Sequence, residues 1–395
     1  MRLTVVLLGM ALWAPISALA TEIRVAVLRV DDPAPRLPVS RLDLPPADLG
    51  FAGARLGTAD NATTGRFLGQ SFVTDEVTAA PEAAAEAMRG IVARGTHLVV
   101  TLADDATTMA LADAAGPGTL VFNARARGDA LRGADCRANL LHTAPSRAML
   151  ADALAQFLVW KRWSKWFLIE GSHPEDHALA EAYRHAAVKF GAKIVEERVF
   201  EDTGGARSTD SGLVQIQSQI PSFTQRAREH DVVVAADETG LFAAYLPFHT
   251  WDPRPVAGSA GLVPTSWHPA MEMWGGTQFQ TRFEKRANRP ARDEDYQVWL
   301  ALRAIGEAAT RAGSAEVPAL RAYMLGDSFQ LGAFKGQPLT WRDWDGQLRQ
   351  PILLASGPIV ASVSPQPQFL HQVSQLDTLG TDRPETACHL DRGAE

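Results

Sequence analysis

The sequence predicts an α/β protein made of two lobes, each a mainly parallel β-sheet flanked by helices. Apolar runs of strand length alternate with helical segments along most of the 395 residues. The strands are apolar on both faces, which is typical of a parallel sheet covered by helices. The alternation begins afresh near residue 146, and the chain is long enough for two domains with separate cores.

The first series of alternating elements follows residue 21. In chain order it consists of a strand at 22–30, a helix at 48–65, a strand at 70–77, a helix at 81–95, a strand at 96–103, a helix at 104–116 and a strand at 119–124. Apolar periodicity defines each segment, and Pro81 and Gly95 begin and end one of the helices. This series predicts the first lobe.

A second series predicts the other lobe. It consists of a helix at 146–163, a strand at 164–171, a helix at 174–191, a strand at 192–201, a helix at 211–230 and a strand within 231–240 that runs into a helix. The long helix at 294–313 is expected to return to the first lobe, because neither half is complete without it. We therefore assign 21–143 plus 262–330 to lobe one and 144–261 plus 331–363 to lobe two.

The end of the chain contains a predicted hairpin and a tail. Between two apolar runs, Asp345 and Gly346 supply the two positive-φ positions that a tight hairpin turn requires. The remaining segment, 364–395, is rich in Gln, Pro and Asp, and we expect it to lie on the surface as an arm.

The first twenty residues have the pattern of a secretory signal peptide. Arg2 precedes an apolar run at 3–13, and Ala18-Leu19-Ala20 supplies small residues for cleavage before Thr21. The apolar run is too short for a stable membrane anchor. We therefore expect an exported protein that begins near Thr21.

The chain has two cysteines, Cys136 and Cys388. In an oxidising compartment two cysteines usually pair, and a disulfide here would attach the C-terminal tail to the body. The alternative is a reactive thiol, which would need a histidine base and a depressed pKa.

Composition and missing motifs limit the possible functions. The sequence contains no P-loop, dinucleotide fingerprint, HExxH motif or nucleophile elbow, so we expect a binding protein without a cofactor rather than an enzyme. Two distant cysteines exclude a cysteine-rich zinc site. The formal net charge of -7 argues against nucleic acid or an anionic membrane as a partner.

Ligands of open parallel sheets bind beyond the carboxyl ends of the strands, which indicates the candidate binding residues. The candidates at these positions are Thr101, Asp104, Asp105, Asn123 and Arg125 in lobe one, and Ser172, His173, Asp237 and Glu238 in lobe two. Asp31, Asp32 and Glu170 also follow strands.

Four of these candidates are carboxylates that come from strand ends of different lobes. If the lobes close, Asp104, Asp105, Asp237 and Glu238 would face one cleft and favour a cation or a polar ligand, which makes them candidate metal ligands. The alternative is that each pair only caps the helix that it begins.

Several segments resemble known proteins. GARLGTADNATTGRFLGQ (53–70), LVVTLADDATT (98–108) and TLVFNA (119–124) resemble the type I periplasmic binding proteins of ABC importers, in the branched-chain amino acid receptor group. NARARGDALRGADCRANLLHTAPSRAMLADAL (123–154) and WDGQLRQPILLA (344–355) are similar to a subfamily found beside pyrroloquinoline-quinone (PQQ)-dependent alcohol dehydrogenases. Cys136 and Cys388 both belong to that pattern, as a disulfide would predict.

The resemblance implies a periplasmic, non-enzymatic solute receptor whose lobes close on a small molecule or ion. Its implied partners are an ABC permease and ATPase, together with a PQQ-dependent dehydrogenase system. Amino-acid receptors of the group hold the ligand carboxylate with a Ser/Thr-rich loop, whereas Asp104 and Asp105 here would repel it. Thr101 and Glu238 could retain part of that role. Delivery of calcium, a lanthanide or a metal complex, and a sensory accessory role, are the alternatives.

Overall fold

A computed structural model describes residues 21–31, 43–202, 215–388 and 390. The predicted signal peptide at 1–20, Asp32 and the last five residues of the tail lie outside the described residues. In the part that is described, no helix combines the length and apolar character needed to cross a membrane.

The described elements alternate as the sequence predicts. The helices are α1 (Phe51–Gly65), α2 (Ala84–Ala93), α3 (Asp105–Ala115), α4 (Arg147–Trp160), α5 (Pro174–Phe190), α6 (Ile216–Thr224), α7 (Leu246–His249), α8 (Gly276–Ala287), α9 (Asp293–Ala312) and α10 (Val317–Met324). The strands are β1 (Thr21–Val30), β2 (Gln70–Ala79), β3 (Leu98–Leu102), β4 (Leu120–Asn123), β5 (Leu140–His142), β6 (Lys165–Gly171), β7 (Lys193–Phe200), β8 (Val232–Ala236), β9 (Val256–Gly258), β10 (Val263–Thr265), β11 (Thr340–Trp341), β12 (Leu348–Arg349), β13 (Ile352–Ser356) and β14 (Ile359–Ser364).

The sheet of the first lobe has the strand order β2-β1-β3-β4-β5, and every pairing in it is parallel. Both faces are buried, because alternate residues of each strand contact different helices. Val25 and Val27 pack with α1 and α9, whereas Ala26 and Leu28 pack with α2 and α3. This arrangement confirms the predicted parallel sheet flanked by helices.

The second lobe repeats the design with the parallel order β7-β6-β8-β9. Trp166 and Leu168 pack with α4 and α5, while Phe167 and Ile169 pack on the opposite face with residues of α6. The two-lobed α/β class predicted from the alternation is therefore the observed one.

Helix α9 packs closely against α1 in the first lobe. A side chain at Gly53 would overlap the backbone carbonyl of Asp295, and one at Gly57 would meet Leu302. Asn61 donates a buried hydrogen bond of 2.7 Å to the Leu302 carbonyl oxygen. The glycines of α1 thus allow the two helix backbones to approach, and α9 packs in the core beside the first sheet.

The segment that includes β11 and β12 differs from its predicted place in lobe two. Leu331, Leu339, Trp341 and Leu348 are buried in the core that covers the first sheet. In β13, Leu353 faces that same core, whereas Ile352 and Leu354 face the core of the second lobe. Because successive side chains of a strand point to opposite faces, β13 contributes side chains to the cores of both lobes.

The predicted hairpin is present, but its turn is wider than a two-residue loop. β11 pairs antiparallel with β12, and six residues connect them. Only Gly346 has positive φ (68°), whereas Asp345 does not. The buried Asp345 carboxylate instead accepts a hydrogen bond from the Gln347 N–H at 3.0 Å, so it stabilises the turn from inside.

The described part of the tail is packed into the body rather than laid over it. Leu376 and Leu379 are buried, and the Asp377 carboxylate accepts hydrogen bonds from Arg342 (3.0 Å) and Arg349 (2.7 Å). These apolar and charged contacts explain the difference from the expected surface arm. The predicted disulfide between Cys136 and Cys388 is present, with a Cα–Cα distance of 5.7 Å.

Two element boundaries in the second lobe also differ from expectation. Helix α6 ends at Thr224 instead of His230, and it contains Pro221. Asp237 and Glu238 do not begin a helix, because a turn follows β8 and the next helical residues begin at Ala243.

Candidate functional site

The chain passes between the two lobes three times, at 143–146, 263–267 and 349–352. Ala144, Pro145 and Ser266 of the first two crossovers lie at the floor of an interlobe cleft. The cleft has a volume of about 790 Å³. Its lining consists of Ala103, Asp104, Asp105, Ala106, Ala124, Arg125, Ala126, Arg127, Ala144, Pro145, Arg147, Pro174, Glu175, Ala178, Glu238, Thr239, Ser266, Asp293, Glu294 and Gln297. Both lobes therefore contribute walls, at the carboxyl ends of β3, β4, β6 and β8.

Arg147 lies between the walls and pairs with one carboxylate from each lobe. Its Nη1 donates to Asp105 at 2.7 Å, and its Nε and Nη2 donate to the two oxygens of Glu238 at 2.6 and 3.0 Å. The arginine side chain is only 7% exposed. A bidentate guanidinium–carboxylate pair with a third bond is a strong, geometrically specific link between the lobes.

These contacts determine the charge of Arg147 and of Asp105. Burial opposes the charge of Arg147, but its bonds to Glu238 and Asp105 outweigh that effect and raise its pKa. Burial likewise favours neutral Asp105, yet Arg147 and the Gly128 N–H together lower the pKa of this carboxyl. Arg147 and Asp105 are therefore charged at neutral pH, and the carboxylates of Asp105 and Glu238 both have Arg147 as their cationic partner.

The four predicted carboxylates do not form one free acidic cluster. Asp104 is exposed and caps α3, accepting from the Thr107 N–H at 2.7 Å, while Asp105 and Glu238 are paired with Arg147. Among the described residues, no group of three or more His, Cys, Asp or Glu side chains is placed to hold a metal ion.

Asp237 is buried and stabilises the loop after β8 instead of lining the cleft. Its carboxylate accepts hydrogen bonds from the N–H groups of Leu241 (2.7 Å), Phe242 (2.7 Å) and Ala243 (2.6 Å). These bonds satisfy backbone donors that would otherwise be unpaired in a buried turn. The neighbours Glu238 and Thr239 are thereby held at the cleft wall.

Thr101 and Asn123 lie in the first sheet beneath the cleft. The Thr101 hydroxyl donates to the Phe122 carbonyl oxygen at 3.4 Å. Asn123 Oδ1 accepts from the N–H groups of Arg125 (3.0 Å) and Ala126 (2.7 Å), and its Nδ2 donates to the Ala126 carbonyl oxygen at 2.8 Å. Asn123 thus shapes the loop that carries Arg125 and Arg127 into the cleft.

Ser172 and His173 precede α5 and contact Asp202 instead of the cleft. Ser172 Oγ accepts from the Asp202 N–H at 3.0 Å, and His173 Nε2 lies 2.9 Å from an Asp202 carboxylate oxygen. The residues of this region that line the cleft are Pro174, Glu175 and Ala178.

The other cleft arginines lie on the loop after β4. Arg127 is 3.5 Å from Asp293, a long ion pair. The exposed side chain of Arg125 has no hydrogen bond or ion pair among the described residues. Of the predicted ligand residues, the structure thus brings Asp104, Asp105, Arg125 and Glu238 together in the cleft. Their role as ligands remains a prediction.

The floor contains functional candidates that the sequence did not indicate. Lys335 Nζ donates to the carbonyl oxygens of Ser266 and Pro351, which belong to two different crossovers. Gln350 Nε2 donates to the Thr143 carbonyl oxygen at 2.6 Å and so reaches the remaining crossover. These residues come from distant segments with no shared spacing, so no sequence pattern could have grouped them.

Burial lowers the pKa of Lys335 to about 7, against a smaller opposing effect of Asp293. The neutral amine still has two N–H groups, one for each carbonyl acceptor. Lys335 can therefore hold both crossovers without a permanent buried charge.

Two parallel α/β lobes, joined by three crossovers around a cleft lined from both sides, define a class of two-lobed ligand-binding protein. The chain belongs to the periplasmic binding protein family, whose family model matches residues 51–358. A search of curated proteins found no match.

Solved structures share the fold at low sequence identity. A branched-chain amino acid ABC transporter ligand-binding protein from Burkholderia xenovorans is 16% identical, with a TM-score of 0.72 and coverage of 93% of this chain and 100% of that one. An ABC transporter substrate-binding protein from Desulfitobacterium hafniense in complex with Leu is 15% identical (TM-score 0.66, coverage 87% and 100%). A solute-binding protein from R. palustris in complex with benzoate is 14% identical (TM-score 0.65, coverage 93% and 99%).

Proposed function

We propose that the protein is the periplasmic solute-binding component of an ABC importer and closes its two lobes around a small polar organic ligand. The observation that carries this proposal is the interlobe cleft, which both sheets line at the carboxyl ends of their strands. Its partners would be a membrane permease and its ATPase, which the family relationship supports. The function is transport by hinge closure, not catalysis.

The size and lining of the cleft favour an organic solute. Its volume of about 790 Å³ falls within the range of roughly 300–1,000 Å³ of small-molecule sites. Small side chains leave room along the walls, namely Ala103, Ala106, Ala124, Ala126, Ala144 and Ala178. Charged groups of both signs surround this space, so the ligand is expected to be polar.

Binding of calcium, a lanthanide or a metal complex is the alternative that the acidic residues suggested. Its support is weaker in the structure, because Arg147 already neutralises Asp105 and Glu238 and because Asp237 is saturated by backbone N–H groups. A cation would have to displace a buried arginine from two carboxylates. We therefore place the organic ligand first.

The link to PQQ-dependent alcohol oxidation is a finer proposal that rests on the sequence resemblance of 123–154 and 344–355. It predicts that the ligand is an alcohol, an aldehyde, a small acid or the quinone itself. A sensory or accessory role would use the same cleft without a permease. Permease and ATPase genes next to this one would favour import over that role.

A thermal-shift screen of the mature protein tests the proposed function. The panel contains alcohols, aldehydes, small acids, amino acids, PQQ, calcium and lanthanum, and a compound that binds the folded state raises the melting temperature. Ala178→Trp places a large side chain in the cleft, whereas Val188→Trp is its control on the exposed, cleft-distant part of α5.

We expect at least one organic compound to stabilise the wild type and the Val188→Trp variant but not the Ala178→Trp variant. Equal shifts in all three proteins would place binding outside the cleft. No stabilisation by any compound of the panel would contradict the solute-binding proposal.

A further inference from the structure

Two polar atoms at the cleft floor are buried and have no hydrogen-bond partner in the described structure: Ser266 Oγ and Gln297 Oε1. Ser266 is completely buried and Gln297 is 2% exposed, yet both residues line the cleft. A buried polar atom without a partner costs free energy, so such atoms are rare unless something else satisfies them.

The hydrogen-bond network fixes which atom of the Gln297 amide is left over. The Thr143 carbonyl oxygen can only accept, so Gln350 presents its Nε2 to it at 2.6 Å. Gln350 Oε1 then faces Gln297 and requires a donor, which is Gln297 Nε2 at 3.4 Å. The remaining Gln297 atom is therefore the oxygen, an acceptor.

The backbone of Ser266 is also fully used, which leaves only its hydroxyl for the cleft. The Ser266 carbonyl oxygen accepts from Lys335, and its N–H lies 3.4 Å from the Asp293 carboxylate. Asp293 and Gln297 are one turn apart on α9, so the floor groups are neighbours.

The charges near the floor include two carboxylates of α9. Asp293 and Glu294 belong to the first turn of α9 and line the cleft with Gln297. Asp293 is engaged by Thr265 at 2.6 Å and by the Trp267 N–H at 2.7 Å, and Glu294 has no ion pair among the described residues. Asp293 also pairs with Arg127 at 3.5 Å, so the local charge is partly balanced. The selectivity of the floor comes from Gln297 Oε1, which can only accept a hydrogen bond and therefore cannot pair with a ligand carboxylate.

We propose that Ser266 and Gln297 form a subsite that takes a hydrogen-bond donor group of the ligand, either a hydroxyl or an ammonium. Such a group donates to Gln297 Oε1. A hydroxyl would also accept from the Ser266 hydroxyl, whereas an ammonium would donate to it. This inference rests on the proposed function, since it assigns a ligand chemistry to the same cleft.

Calorimetric titration with three probes tests the subsite: 1,2-propanediol as a neutral donor, ethanolamine as a cationic donor and benzoate as an acceptor only. The variants are Ser266→Ala and Gln297→Met. Ser364→Ala is the control, because that buried hydroxyl donates to the Ala153 carbonyl oxygen at 2.7 Å and lies outside the cleft lining.

We expect the wild type and Ser364→Ala to bind a donor probe, and each floor variant to bind it at least about tenfold more weakly. Tighter binding of ethanolamine would show that the subsite takes an ammonium group. Tighter binding of 1,2-propanediol would show that it takes a hydroxyl group. Ser266→Ala should also keep the wild-type melting temperature, because the lost hydroxyl has no partner in the unliganded protein, whereas Ser364→Ala should lower it.

Three results would overturn the inference. They are equal affinity of the wild type and Ser266→Ala for a donor probe, binding of benzoate in preference to both donor probes, and binding of no probe. The first two leave solute binding itself intact. If the broader thermal-shift panel also gave no ligand, the proposed function would fail as well.

Discussion

Arg147 determines the electrostatic character of the cleft at the scale of single residues. Without it, Asp105 and Glu238 would be two uncompensated carboxylates on opposite walls. With it, each lobe contributes one carboxylate to a shared guanidinium, and the walls are joined. The sequence shows Arg147 only as the residue after a helix cap, so its charge was not included in the predicted acidic cleft.

Lys335 gives the molecule a pH dependence with a defined sign. Its pKa is about 7 in the folded protein and 10.5 for an ordinary lysine. Between these values the unfolded chain binds a proton that the folded chain lacks, so the free energy of unfolding rises with pH. Below pH 7, Lys335 is protonated in both the folded and the unfolded protein. The folded protein then bears the full free-energy cost of the buried charge.

We therefore expect the free energy of unfolding of the wild type to gain about 2 kcal/mol more than that of Lys335→Met between pH 7 and pH 9. Denaturant titrations at the two pH values measure this difference. The exposed Lys193→Met is the matched control and should show the wild-type gain. Identical pH dependence in Lys335→Met and the wild type would disprove a depressed pKa at Lys335.

At the scale of elements, the contact between α1 and α9 depends on glycine. We expect Gly53→Ala to lower the free energy of unfolding by about 2 kcal/mol, because the added methyl group would overlap the backbone of Asp295, which cannot move freely. Thermal or denaturant unfolding measures the change.

The control is Gly90→Ala in the interior of α2. Its nearest neighbour is the flexible end of Arg94 at 3.5 Å, so the added methyl group meets no obstacle. Because alanine has a higher helix propensity than glycine, Gly90→Ala should raise the free energy of unfolding by up to about 1 kcal/mol. A Gly53→Ala variant as stable as Gly90→Ala would contradict the close packing of α1 on α9.

The sequence was most informative about elements whose pattern is local. The parallel strands are continuous apolar runs, and the long helices carry caps and glycines at their ends, so their type and order could be predicted. The sequence predicts helix α6 to continue to His230, but the helix ends at Thr224, three residues after Pro221.

Contacts between segments that are distant in the chain are harder to predict from the sequence. The segment around β11 and β12 carries ordinary alternation, which does not say which of two cores it will fill. For the same reason the floor residues Ser266, Gln297 and Lys335 could not be foreseen, since their proximity arises only when three crossovers meet.

At the scale of the whole molecule, the disulfide bonds the first lobe to a tail that contacts both lobes. Cys136 follows the first-lobe strand β4, whereas the tail before Cys388 packs Leu379 into the second core and bonds Asp377 to Arg342 and Arg349 beside the first core. Lys189 and Asp152 of lobe two bind the backbone of Gly380 at 2.9 and 2.8 Å. The cross-link is therefore positioned to tether one lobe to the other through the tail.

We expect the double variant Cys136→Ser/Cys388→Ser to be less stable by up to about 5 kcal/mol, because 252 residues separate the bonded cysteines and the unfolded chain gains much freedom. Denaturant titration measures the loss, and the reduced wild type should reproduce it. Non-reducing mass mapping that found two free thiols in the exported protein would contradict the cross-link.

Closure of the two lobes on a ligand is the central claim, and one distance measurement tests it most directly. Spin labels at Glu86→Cys on α2 and Glu181→Cys on α5 report the separation of the lobes, since both positions are exposed and the native cysteines are bonded. We expect the label-to-label distance to shorten when the compound with the largest thermal shift is added at saturation. An unchanged distance distribution at a saturating concentration of that compound would contradict closure of the lobes on the ligand.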